Sequence, residues 1–129
     1  MSREPDSALD KLAHDVIGAA IEVHRTLGPG FLESVYEEAL CVEFKQRNIS
    51  FEQQVLVGVN YKGYLVGQSR LDLLVASKLV VELKTVEHIL PIHTAQILSY
   101  LKATNLTLGL LINFNVPILK QGIKRIVLS

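Results

Sequence analysis

Asp72 stands in an apolar stretch, Leu71-Asp72-Leu73-Leu74-Val75, and Glu82-Leu83-Lys84 continues another, Leu79-Val80-Val81. Carboxylates and lysines are rarely buried without a partner or a metal. Both stretches read as strands, and the short Ala76-Ser77-Lys78 turn between them implies antiparallel pairing. Glu82 and Lys84 are two apart, so they share a face. Pairing about the turn brings Asp72 to the level of Glu82 and Lys84, so that two carboxylates and an ammonium converge.

Such a set suits a hard cation. Mg²⁺ prefers oxygen ligands, keeps several waters, and takes one or two protein carboxylates plus phosphate. A lysine beside it can orient a water or hold a phosphate oxygen. The competing reading is a cross-strand salt bridge, which is common on exposed sheet faces. No histidine-rich zinc spacing competes, and the single cysteine, Cys41, cannot build a thiolate site. Cys41 reads instead as a small buried apolar group.

The elements that must position these groups follow from periodicity. Ala8 to Leu27 carries one apolar stripe at helical spacing, and Gly28-Pro29-Gly30 stops it. Phe31 to Arg47 reads as a second helix, with Asn48 at its end, and the two form a hairpin. Phe51 to Tyr61 and Tyr64 to Val75 read as strands about a Lys62-Gly63 turn, and Leu79 to Val86 as a third. Pro91 opens a helix to about Thr104. Thr107 to Phe114 is almost wholly apolar, as in a strand buried on both faces, and Ile118 to Leu128 reads as a last strand with a bend at Gln121-Gly122. The order α-α-β-β-β-α-β-β predicts one α/β domain, a mixed α+β sheet with helices packed on it.

The chain of 129 residues fits a single domain, 1–129, with residues 1–10 as a flexible start. At 49% hydrophobic and 20% charged it can bury a core. No apolar run approaches the ~20 residues of a membrane helix, and Met1 to Asp10 is too polar for a signal peptide. These features are those of a cytoplasmic protein. Thirteen basic residues balance thirteen acidic ones. That balance argues against a broad nucleic-acid-binding surface on an isolated monomer and points to a homodimer or a larger protein partner.

Asp72…Glu82-Leu83-Lys84 resembles the PD-(D/E)XK nuclease signature, with Leu71 where the name has proline. Gly30-Phe31-Leu32-Glu33-Ser34-Val35-Tyr36 is similar to the motif of the GxxExxY protein family of that superfamily. The resemblance runs from about Ala13 to Leu128. It implies a restriction-endonuclease-like PD-(D/E)XK core, α-β-β-β-α-β, here preceded by a helical hairpin. It also implies Mg²⁺ or Mn²⁺ at Asp72, Glu82 and the Leu83 carbonyl, with Lys84 catalytic.

Glu33 and Tyr36 are three apart on the second helix and share a face. Tyr36 reads as core. Glu33 suits a helix-dipole contact, and the resemblance offers the other role, a third acid at the metal cluster. On the helix after Pro91, His93, Gln96 and Tyr100 lie along one face. Gln96 and Tyr100 resemble the QxxxY element of the lambda-exonuclease- and RecB-like branch, which implies substrate binding, and His93 on the same face is expected to bind substrate with them. Gln96 would hold a phosphate or the lysine. The alternative puts Tyr100 in the core beside Ile97 and Leu101, with Gln96 on the surface. His24 reads as a capping or core residue.

The leading functional expectation is a metal-dependent nuclease acting on DNA or RNA. The alternatives are a catalytically silent nucleic-acid-binding or assembly module of the same fold, and a hydrolase of another phosphate ester.

Overall fold

The computed structural model describes residues 6–129. The expected polar start, Met1 to Asp10, therefore lies partly outside the described residues. From Ser7 onward the chain is already helical: Asp6 accepts the Leu9 N–H at 2.7 Å and caps helix α1, Ser7–Leu27. Gly28, at φ 70°, ends it, a left-handed value that glycine adopts without a Cβ clash. Helix α2, Glu33–Gln46, starts two residues later than the periodicity suggests. Phe31 and Leu32 instead lie exposed in the connection.

Strands β1 (Phe51–Tyr61), β2 (Tyr64–Val75) and β3 (Leu79–Lys84) precede helix α3 (Pro91–Thr104). Strands β4 (Leu108–Asn113) and β5 (Ile123–Val127) complete the chain. The expected bend at Gln121-Gly122 is the end of a short 3₁₀ turn, Leu119–Gly122, so the last strand is shorter than expected. The sheet order is β1-β2-β3-β4-β5, with β3 and β4 parallel and every other pair antiparallel. Parallel neighbours need a crossover, and α3 supplies it. Among the described residues no helix is long and apolar enough to cross a membrane.

The sheet separates two cores. Helices α1 and α2 cover one face, meeting Leu73, Val75, Leu79, Val81, Leu83, Leu108, Leu110 and Ile112. Helix α3 covers the other, where Ile97, Tyr100 and Leu101 meet Leu71, Val80 and Leu111. All six residues of β4 are buried, which accounts for a sequence that is apolar up to its last residue, Asn113. Tyr36 stacks on Phe114 at 4.4 Å between centroids, and its hydroxyl donates to the Gly28 carbonyl at 2.5 Å, so it is core as expected. His24 is core too, its Nε2 lying 2.8 Å from the Val116 carbonyl oxygen. Buried Cys41 has its thiol pushed up to about 11, chiefly by desolvation, which leaves it an inert apolar group.

One irregularity matters for the site. Residues two apart on a strand share a face, yet Leu71 and Leu73 belong to opposite cores. β1 changes face in step: Phe51 packs against the α1/α2 core, whereas Val55 and Val57 belong to the α3 side. Both strands therefore slip phase at Gln54 and Asp72, and Gln54 has the left-handed φ of 52° that such a kink requires. Beyond it the hairpin runs outward and leaves Leu56, Tyr61, Tyr64, Leu65 and Val66 exposed.

The two hairpin turns differ in composition. Lys62 (φ 51°) and Gly63 (φ 86°) place one non-glycine residue in the left-handed region. At the β2–β3 turn both Ala76 (φ 51°) and Ser77 (φ 57°) are there, at some steric cost. Ser77→Gly is expected to raise stability by about 0.5–1 kcal/mol, or about 3 °C in Tm. An unchanged or lower melting temperature would show that this turn carries no such strain.

Candidate active site

The site is built where β2 and β3 part. Their backbone ladder covers only Leu73–Val75 against Leu79–Val81. One step on, side chains take over. The Asp72 N–H donates to Glu82 Oε1 at 2.7 Å, and the Leu83 N–H donates to Asp72 Oδ2 at 2.8 Å. Each carboxylate thus accepts a backbone N–H from the opposite strand, and the exchange fixes the two acids side by side. It leaves one oxygen of each weakly engaged. Among the described residues the one N–H donor to Asp72 Oδ1 is Gln54 Nε2 at 3.4 Å, and no N–H donates to Glu82 Oε2.

This proximity is electrostatically unfavourable. Glu82 is 3% exposed. Desolvation, and next the charge of Asp72, push its carboxyl from 4.5 up to about 8. Two like charges in a dry site favour keeping a proton or gaining a cation. Glu33, on the first turn of α2, lies within hydrogen-bonding reach of Asp72, and its carboxyl is likewise raised, first by burial and then by Asp72. The structure thus brings the helical acid beside Asp72.

Lys84 lies on the same face of β3 as Val80 and Glu82, toward α3. Its Nζ donates to Gln96 Oε1 at 3.3 Å, and Gln96 Nε2 donates to the Tyr100 hydroxyl at 3.2 Å. That hydroxyl donates to the Arg70 carbonyl at 2.9 Å. Gln96 is therefore no idle surface residue: it holds the lysine. Tyr100 is both core and part of this chain, its ring buried with Ile97 and Leu101. His93 has a different place. Its Nδ1 accepts the Leu90 N–H at 3.0 Å, closing the start of α3, so the contact the structure gives it is a helix cap.

The sequence reading missed two supports. Glu37, one turn beyond Glu33, accepts from Gln53 at 2.9 Å and Gln54 at 2.8 Å, tying α2 to the kink beside Asp72. The paired glutamines in a valine-rich strand were the available signal. Asn113, the one polar residue of β4, accepts the Val86 N–H at 3.1 Å and donates to the Val86 carbonyl at 2.8 Å. That clamp sets the path of the chain from Lys84 toward α3.

The donor set fits a hard cation. Among the described residues no three His, Cys, Asp or Glu side chains form a ready-made cage. Mg²⁺ does not need one, since it commonly binds through one or two carboxylates and retains water. Leu83 gives its N–H toward β2, and a strand residue directs its carbonyl to the same side, so a third oxygen faces the opening.

A family model of the PD-(D/E)XK nuclease superfamily matches residues 10–126, so the chain belongs to that superfamily. The mixed five-stranded sheet and three helices agree with its restriction-endonuclease-like fold. No curated protein and no solved structure matches the chain.

Proposed function

We propose that this protein is a Mg²⁺- or Mn²⁺-dependent nuclease that hydrolyses phosphodiester bonds of DNA or RNA. The observation that carries the reading is the reciprocal Asp72–Glu82 exchange. It leaves one oxygen of each acid with no strong N–H donor, beside a lysine held by a glutamine. Asp72, Glu82 and the Leu83 carbonyl are the ligands in this reading, with Glu33 as a further acid that acts through Asp72. A bound divalent cation lowers the pKa of a coordinated water and offsets charge building on the phosphate. Lys84 supplies a fixed ammonium to a phosphate oxygen or to the attacking water, and Gln96 aims it. The Gly30, Glu33 and Tyr36 spacing supports, in this reading, an assignment to the GxxExxY family of that superfamily.

The direct test is incubation with single- and double-stranded DNA and RNA in Mg²⁺ or Mn²⁺, against a chelated control. Cation-dependent cleavage is expected for the parent protein. Cation binding without cleavage of any of the four would instead identify a silent nucleic-acid-binding module.

The hydrogen-bond chain gives a second prediction. Gln96→Ala frees Lys84 and is expected to lower turnover by about tenfold, the low end for losing a group that positions a catalytic one, with cation affinity nearly unchanged. Tyr100→Phe keeps the ring packing and is expected to have a smaller effect in the same direction. Parent-like turnover in both variants, measured at fixed salt, would make α3 a scaffold only.

A further inference from the structure

A pocket of about 380 Å³ opens between the outer part of the β1–β2 hairpin and α3. That is large enough for a small ligand, since binding pockets begin near roughly 300 Å³. Its walls combine apolar surface from Val57 and Tyr100 with the polar side chains of Asn60, Ser69 and Ser99, and its charged residue is Lys102. Two of these residues also belong to the active-site chain. The Tyr100 hydroxyl bonds Gln96, which bonds Lys84, and Ser69 lies within hydrogen-bonding reach of that same hydroxyl. The pocket therefore begins where the hydrogen-bond chain from Lys84 ends.

We infer that this pocket is a nucleoside subsite, which receives the base and sugar next to the phosphate held at Asp72, Glu82 and Lys84. The inference rests on the nuclease reading of that site and adds where the substrate strand goes. A nucleobase offers flat apolar faces and a polar edge. Val57 and the tyrosine, largely buried, give the pocket an apolar floor against which a base can rest, while the asparagine and serines can both donate and accept at its edge. Lys102 supplies a positive charge for the neighbouring phosphate of the strand. The phase slip at Gln54 and Asp72 makes the pocket possible. It turns Val57 toward α3 while the hairpin continues outward beyond the sheet's other strands.

The test uses the full chain and free nucleoside 5′-monophosphates, deoxy and ribo, followed by amide chemical shifts. Shifts are expected at Ser69, Ser99 and Lys102. Ala103, an exposed residue of α3 that also lines the pocket, provides the blocking variant. Ala103→Trp should weaken nucleotide binding by about tenfold or more, equivalent to about 1.4 kcal/mol, and leave Mn²⁺ affinity within about twofold of the parent. Lys102→Ser should weaken binding of the monophosphates more than that of the uncharged nucleosides. Shifts that are absent, scattered over other surfaces, or unchanged in Ala103→Trp would overturn the subsite. The Mn²⁺ titration separates this failure from failure of the nuclease reading. If Asp72→Asn with Glu82→Gln binds Mn²⁺ like the parent, the metal site is wrong, and the nucleotide shifts still decide the pocket.

Discussion

Lys84→Ala is expected to fold, to bind Mn²⁺ much as the parent does, and to lose about 100- to 1000-fold in cleavage rate. That is the scale on which removing one preorganised charge partner of a transition state is felt. The expectation follows from where the lysine is held. It shares the α3-facing side of β3 with Glu82 but bonds Gln96, not either acid. A structural salt-bridge lysine would give the opposite pattern, with a lower melting temperature and an unchanged rate. The paired readout is single-turnover cleavage and thermal melting of the same preparation. Cleavage at the parent rate would reassign Lys84 to the scaffold.

The second large effect is on stability against pH in the absence of divalent cations. Glu82 gives up its proton near 4.5 in the unfolded chain and near 8 in the folded one. Below pH 4.5 both states hold the proton and the stability is fully present. Between about 4.5 and 8 the unfolded chain binds fewer protons than the folded one, so stability falls as pH rises. Above about 8 both states are ionised and the slope vanishes. The expected loss across this window is on the order of 2 to 4 kcal/mol. Glu82→Gln cannot ionise and can still accept the Asp72 N–H, so it should remove most of the slope. Glu33 is shifted the same way and leaves a residual slope of the same sign. Thermal melts from pH 5 to 8.5 in chelator read the difference. Parallel curves for parent and variant would mean that Glu82 does not carry the buried charge.

Much of this site is legible in the sequence because its signals are local. Glu82 and Lys84 are charges inside an apolar run, and Ala76-Ser77-Lys78 is short enough to fix their level against Asp72. The element order follows from periodicity for the same reason, since each helix and strand has its own apolar pattern. What the sequence hides is what depends on the strands losing phase. A strand read with a strict period of two puts Leu71 and Leu73 on one face, and the structure puts them in opposite cores. The partners of the kink, Gln54 with its positive φ and Glu37 reaching it from α2, come together only through that slip. His93 shows the converse limit. Shared helical spacing with Gln96 and Tyr100 cannot tell a cap of the first turn from a residue of the site, and its hydrogen bond goes to Leu90. The 3₁₀ turn before β5 was hidden as well. There Gly122 packs so closely on the Asn113 carbonyl that a Cβ would sit 2.1 Å from its oxygen, a tertiary contact with no local signature.

The measurement that bears most directly on the central claim is calorimetric titration of Mn²⁺ into the parent and into the Asp72→Asn, Glu82→Gln double variant, in one buffer at fixed salt. The substitutions keep size and hydrogen-bonding shape while removing the charge of both acids. The account predicts one site in the parent and a loss of about 100-fold or more in the variant, at least what losing outer partners costs a metal site, with the fold intact by circular dichroism. Equal Mn²⁺ affinity in the two proteins would contradict it, and Asp72 and Glu82 would then be a structural pair.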